Sequence, residues 1–448
     1  MNLRSRLAQL LLAPLLACSS LTGFASDWVY HFQPGDTLWD LCLKYTHKRG
    51  CWIELAKYNG VSRDRAIPVG SEIRIPAQWL INPPTVGSVS AVTGVVNYYL
   101  NPAAPAEPLR QGQGLHLGAR LVSDEGSARL TLGAGNEVLL RPNSVLELNT
   151  MSGSASERST AELGLPSGAV EVKVAPNRKS RFSITTPAAI AAVRGTEYRV
   201  NSLGADGASM RSEVLAGAVN VAAGKAGATV PAGFGVAAAK GKPPSEPRKL
   251  LPAPQFKRSY AAVSLPVKIE WAGDQRAGSW LLDLLEEGES GALLASHASA
   301  EPSYTVASLV EGCYRLQLRA IDRDGFNGLE SSAPLCIVPR PAATAQLSPI
   351  TPTANGDMEL QWANVAGAER YRVEISSDNS FNQIITTHLT TDTSIRFKPP
   401  AASFSSRVIT IDAAGNESAA SAHRDYQPPQ EIPWQVKAMT VLMLLLAL

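Results

Sequence analysis

Cysteine is the most reactive side chain in this 448-residue sequence, and four of the five cysteines form two close pairs, Cys42 with Cys51 and Cys313 with Cys336. A cysteine can serve as a nucleophile beside a base, as a metal ligand, or as half of a disulfide. The base nearest to Cys42 is His47, which lies about 140° round a helix from it, so the pair is poorly placed for nucleophilic work. No histidine stands in a zinc-type spacing with either pair. Disulfides are expected at both, in an oxidising compartment. No G-x-S-x-G, H-E-x-x-H or phosphate loop occurs, and the histidines are scattered, so no catalytic set, metal or cofactor is expected. DRDGFNGLE, from Asp322, has the acidic spacing of a calcium loop. The related DAAGNES, from Asp412, has Ala414 in place of the second Asp, so a turn is the reading that serves both.

The N-terminus sets the compartment. Arg4 and Arg6 precede the apolar run LAQLLLAPLLA, and Gly23 and Ala25 supply small residues before a cut. That is the pattern of a signal peptide over 1–25, too short to span a bilayer. LLAC, ending at Cys18, offers a rival cut that would leave a lipidated cysteine. Either route takes the chain out of the cytoplasm, to the periplasm or cell envelope. At the other end only the residues after Lys437 are continuously apolar, short of the ~20 a span needs. With Trp434 before them, 433–448 read as a tail that contacts membrane. The formal net charge of +2 gives no ground for nucleic-acid binding.

Between these ends, the sequence must build the elements that hold the first cysteine pair. Residues 29–32 alternate as a strand, and Pro34-Gly35 turn the chain. Asp36 or Thr37 then caps a helix whose apolar positions Leu38, Trp39, Leu41, Cys42 and Tyr45 share a side. A second short helix over 51–59 is expected to bury Trp52, Ile53, Leu55 and Ala56. IPVGSEIRIP, 67–76, closes the unit as a strand. The THKRG turn between the helices reverses the chain and brings Cys42 within bridging reach of Cys51.

G-D-T-L-W, a following Asn-Gly, and I-P-x-G-x-x-I-x-I-P, in this order, resemble a LysM domain over residues 27–80. The resemblance implies a βααβ unit that binds N-acetylglucosamine-containing glycan, which outside the cytoplasm means peptidoglycan. It places the groove between the loop after the first strand and the loop after the second helix. Carried over by position, these are Gly35, Asp36, Thr37 and Leu38 on one side, and Arg65, Ala66, Ile67 and Pro68 on the other. Tight turns expose the N–H and C=O groups that acetamido sugars need. Gly35 to Thr37 also have a plain role as turn and cap.

Residues 86–240 are rich in Gly, Ala and Val and alternate in short runs, which predicts an all-β unit. LLRPNSVLELN, LPSGAVEVKV, RFSITTPAAIAAVRGTEYRV, VLAGAVNV and VPAGFGVA follow one another and resemble a FecR domain. In the namesake iron-citrate system that domain relays a receptor's state across the inner membrane to a sigma factor. The anti-sigma segment and the spanning helix that precede the domain there are replaced here by a signal peptide and the LysM-like unit. What the resemblance still implies is an exported β module that docks a protein partner. Arg194-Gly195-Thr196 is its most distinctive local stretch, and Gly195 reads first as a backbone needing positive φ or close approach.

A Pro-rich linker over 241–256 precedes an internal repeat. VKIEWAG and MELQWAN stand 91 residues apart, and the Asp322 and Asp412 turns stand 90 apart. Each copy, 257–339 and 346–427, has an early Trp and alternating strands, and resembles a fibronectin type III-like sandwich. Cys313 and Cys336 are equidistant from the centre of the 322–327 hairpin and should face each other across it. The fold class expected is therefore multidomain and mainly β: a βααβ unit, an all-β domain and two sandwiches. The function expected is a non-enzymatic envelope protein that holds peptidoglycan and presents docking modules to another envelope protein. The alternative is a periplasmic sensor that signals through the FecR-like domain.

Overall fold

The computed structural model describes residues 27–428, except 63–65, 102–103, 134, 153–159, 177–180, 205, 289–290 and 344–345. The expected signal peptide, Cys18, the apolar tail and Arg65 lie outside the described residues. Two compact units divide after Leu250. Among the described residues no helix is long and apolar enough to cross a membrane.

The first unit opens with β1 (Asp27–His31), α1 (Leu38–Tyr45), α2 (Trp52–Tyr58) and β2 (Glu72–Pro76). β1 and β2 pair antiparallel from Asp27 opposite Pro76 to His31 opposite Glu72. In β2, Ile73 and Ile75 are buried while Glu72 and Arg74 face out, the alternation a half-buried strand requires. Leu38, Leu41 and Cys42 recur at the i, i+3, i+4 spacing of one helix face and are buried. Trp39 is not on that face. It is 47% exposed, and Ile53 on α2 is 66% exposed, so both depart from the expected buried set. Each sits one position off its helix's buried stripe, about 100° round the axis. The expected strand over 67–76 is shorter, because residues 68–71 form a turn closed by a bond from Ser71 N–H to Pro68 O.

This small core is not closed by its own residues. Leu117, fully buried, and the half-buried Val86 pack into it from the next domain. β1 also joins that domain's sheet. Strand Ser144–Ser152 has Thr160–Lys173 along one edge, and its other edge is divided. Arg120–Ser123 takes residues 144–147, and β1 pairs in parallel with the remainder, Asp27 opposite Thr150 and Trp28 opposite Met151.

Thr160–Lys173 also links two sheets. Residues 160–164 run parallel to 181–185, and 168–173 run antiparallel to 197–202. Leu130, Val138, Val170, Tyr198 and Val214 alternate inward along their strands and share one core. In the Arg194-Gly195-Thr196 stretch, Gly195 has φ +76° and a Cβ on it would lie 2.9 Å from the Pro176 Cα. Both the conformation and the approach require glycine there. The Pro-rich stretch is tied down within this unit: Arg248–Lys249 pairs with Phe234 and Gly235, and Ala237 N–H donates to Ser245 Oγ.

In the second unit, strands Tyr260–Val263, Asn327–Ile337, Gly312–Asp322, Ala277–Glu286 and Leu293–Ser299 form one sheet in that order, and Val267–Glu270 pairs with Ser303–Val306 in another. The second copy builds a three-stranded sheet from Thr351–Pro352, Met358–Gln361 and Ser394–Phe397. Its partner is a four-stranded sheet of Ile384–Thr390, Ala368–Ser376, Phe404–Asp412 and Arg424–Tyr426. These are seven-strand sandwiches with antiparallel neighbours throughout, apart from one parallel edge strand. Trp271 and Trp362 are buried in the two cores, as the repeat alignment requires. Cys313 stands directly opposite Cys336 and the two are disulfide-bonded.

Candidate functional site

The first candidate lip is a turn with a fixed internal network. Asp36 N–H bonds Gln33 O at 3.2 Å, and Gly35 at φ +87° occupies the position where such a turn calls for glycine. The Asp36 carboxylate is already engaged: it accepts from Gln33 N–H and from the Tyr30 hydroxyl, each at 2.7 Å. Burial, and then this bond to Asp36, push the Tyr30 phenol above its ordinary range. Asp36 therefore builds the turn, and Thr37 caps the helix. Thr37 Oγ1 accepts from Asp40 N–H at 3.1 Å and donates to Asp40 Oδ2 at 2.6 Å. Leu38 is in the core, so its side chain is directed away from solvent and only its backbone can serve a ligand.

The second lip is set by Asn59, the Asn of the Asn-Gly signal. Its Oδ1 accepts from Arg74 N–H at 2.7 Å, and its Nδ2 donates to Arg74 O and Leu55 O, both at 2.9 Å. One side chain thus ties the end of α2 to β2 and fixes both ends of the intervening loop. Ala66 and Pro68 are exposed and Ile67 is half-buried.

Phe32 brings the two lips together. Its N–H donates to Ser71 O at 2.9 Å, and its carbonyl accepts from Gly70 N–H at 2.8 Å. The turn carrying Gly35 and the turn following Pro68 therefore leave the same strand pair at the same end. The arrangement offers backbone groups, a half-buried Ile and a Pro. That chemistry suits reversible binding of a neutral polar ring.

Cys42 and Cys51 are disulfide-bonded behind this region, with Cα atoms 5.8 Å apart. Thr46 Oγ1 donates to Cys42 O at 2.9 Å beside the bond. Among the described residues no group of three or more His, Cys, Asp and Glu could hold a metal. The two DxxG turns use their aspartates internally. Asp322 Oδ1 accepts from Asp324 N–H and Phe326 N–H at 2.9 Å, and Asp412 Oδ1 accepts from Ala414 N–H and Asn416 N–H.

Sequence reasoning missed a partly exposed apolar set beside the lip. Trp39 and Trp52 have ring centroids 4.2 Å apart, and Leu43 is 61% exposed. The signal was present: Trp39 and Leu43 are an i, i+4 pair on a face separate from that of Leu38, Leu41 and Cys42.

Residues 30–76 match the model of the LysM domain, and residues 120–220 match that of the FecR protein. No curated protein matches the chain. Similar solved structures include a candidate anti-sigma factor from Parabacteroides distasonis, 16% identical with a TM-score of 0.25, covering 29% of this chain and 57% of that one. The chain thus spans little more than half of that structure's length. Another candidate anti-sigma factor structure from the same organism is 14% identical, with a TM-score of 0.25, covering 39% and 82%. The FN1–FN3 domains of chicken CNTN1 are 12% identical, with a TM-score of 0.28, covering 60% and 99%. LysM domains generally bind glycan such as peptidoglycan, FecR modules imply protein partners, and no enzyme family is indicated. The chain is a multidomain, mainly β protein that carries a LysM domain, a FecR domain and two fibronectin type III-like sandwiches.

Proposed function

We propose that this is an exported, non-enzymatic protein of the cell envelope. Its LysM domain holds N-acetylglucosamine-containing peptidoglycan between Gly35, Asp36, Thr37 and Leu38 on one side and Arg65, Ala66, Ile67 and Pro68 on the other. Within the lip, Asp36 acts as scaffold, and the sugar contacts come from backbone groups and from the Ile67–Pro68 surface. The FecR and fibronectin-like modules dock another envelope protein. The observation that carries the reading is the double backbone tie of Phe32 to Gly70 and Ser71, which sets the two lips side by side.

Sedimentation with purified peptidoglycan tests it. The wild-type chain should be retained, and Pro68→Asp, an exposed change, should lose about tenfold in retention by placing a charge where a neutral ring must desolvate. Retention no greater than that of an unrelated periplasmic protein sinks the reading.

A second reading, a periplasmic sensor, draws support from the pairing of β1 with Ser144–Ser152, which makes the LysM strand part of the FecR sheet. Ligand occupancy at the lip would then bear directly on the docking module. Crosslinking in cells followed by mass spectrometry separates the readings: a membrane-embedded signalling partner favours the sensor, and only wall-associated partners favour the anchor.

A further inference from the structure

The turn between α1 and α2 encloses a notch of about 190 Å³, lined by Trp39, Leu43, Lys48, Arg49, Gly50 and Trp52 among others. Its floor is fixed by the Cys42–Cys51 bond. Its wall is the tilted Trp39–Trp52 pair. Gly50 closes the turn at φ +70°, and a Cβ there would stand 3.3 Å from the Trp52 ring, so the glycine lets that ring lie against the turn. Trp39 and Leu43, left exposed around a concavity, mark a contact surface.

The rim carries cations in two different states. Lys48 is satisfied, ion-paired to Glu54 and lying 4.6 Å over the Trp79 ring. Arg49 is exposed and has no ion-pair partner among the described residues. A free guanidinium beside an aromatic wall is suited to a carboxylate attached to an apolar segment.

We propose that the notch binds the carboxylate-bearing peptide stems of peptidoglycan, next to the amino sugar held at the lip; this rests on the glycan reading given above. Thr37 caps the eight-residue helix that carries Trp39 and Leu43, so lip and notch are borne on one element about 12 Å long. Three or four extended peptide residues cover roughly 10–14 Å, which matches that length. An anionic lipid surface fits less well, because it calls for a flat apolar face flanked by several cations.

The test measures affinities of the whole mature chain for four probes: an N-acetylglucosamine tetramer without stems, a disaccharide carrying a tetrapeptide stem, the free tetrapeptide, and phosphatidylglycerol vesicles. Arg49→Glu and Trp39→Ala should each weaken binding of the stem-bearing disaccharide about tenfold. They should leave the stem-free tetramer unchanged, and Arg49→Glu, at an exposed side chain, should leave the thermal midpoint unmoved. Trp39→Phe should restore most of the affinity. Unchanged binding of the stem-bearing probe, an equal loss for both glycans, or a loss confined to vesicles overturns the proposal. If wild type holds the stem-bearing disaccharide and the free peptide but not the tetramer, the lip reading fails and the notch stands. If it holds the tetramer and gains nothing from a stem, the notch fails alone. Binding of none of the first three probes sinks both.

Discussion

The amide of Gly70 donates to the carbonyl of Phe32 at 2.8 Å, and the lip geometry hangs on this contact together with the return bond from Phe32 N–H to Ser71 O. Backbone bonds of Phe32 hold the two lips together, the Asn59 side chain ties the second to β2, and the Asp36 carboxylate supports the first. Asp36→Ala leaves Gln33 N–H and the Tyr30 hydroxyl without their acceptor. It should cost about 1–2 kcal/mol in urea denaturation and lower peptidoglycan retention along with stability. Pro68→Asp should lower retention at unchanged stability. Retention lost in Asp36→Ala with the denaturation curve unmoved would make Asp36 a direct contact instead.

The two disulfides close loops of different length, with separations of 9 and 23 residues. On chain entropy the first is worth about 2–3 kcal/mol and the second about 3. Cys42→Ser with Cys51→Ser should expose the LysM helices to proteolysis while the second unit stays resistant. Cys313→Ser with Cys336→Ser should do the reverse. Non-reducing peptide mapping checks both pairings.

Asp27 sits where β1 meets the FecR sheet. Burial raises its pKa, and the lesser influences are the Tyr58 hydrogen bond and Arg74, which lower it, and Glu162, which raises it. A carboxyl whose folded pKa is raised binds its proton more tightly in the folded state. Stability is then greatest at low pH and falls as pH rises from the ordinary carboxylate range through the raised value. Asp27→Asn keeps an acceptor for the Tyr58 hydroxyl, which bonds Asp27 Oδ1 at 2.8 Å. The variant should lose this slope and be at least as stable as wild type at neutral pH. Urea midpoints from pH 4 to 7 measure it; an unchanged slope refutes the assignment.

Asn416 joins the two sandwiches. Its Oδ1 accepts from Ser264 N–H at 2.8 Å, and its Nδ2 donates to Ala262 O at 3.3 Å and to Asp412 Oδ2 at 2.9 Å. Phe326 holds the corresponding position in the first copy and is buried. Asn416→Ala should speed hydrogen exchange at the Ser264 amide by at least tenfold while leaving exchange in both sandwich cores unchanged. No acceleration at that amide would mean the clamp does not hold the repeats.

Much of the site was legible because it is local. Pro34-Gly35 specifies a turn, Asp36 or Thr37 ahead of the apolar-periodic run specifies a cap, and the hairpin symmetry of Cys313 and Cys336 specifies their pairing. The burial of Trp39 and Ile53 was misjudged for an equally physical reason: on helices of two turns, one residue's difference rotates a side chain by about 100°, from core to solvent. Asp36 could be recognised as a turn residue, but its engagement by Tyr30 depends on a strand residue whose direction the pattern alone does not set.

By itself the sequence determined the order of modules, the strands and their alternation, the repeat with its paired tryptophans, and both disulfides. Each follows from periodicity or from spacing along the chain. Only the tertiary structure decided that β1 completes the FecR sheet, that Leu117 closes the LysM core, and that Asn416 reaches Ser264. These contacts join residues up to 152 positions apart. They depend on which strand edge and which core gap remain open once the local elements have formed, and a backbone hydrogen bond across an open edge carries no residue signature for a sequence to display.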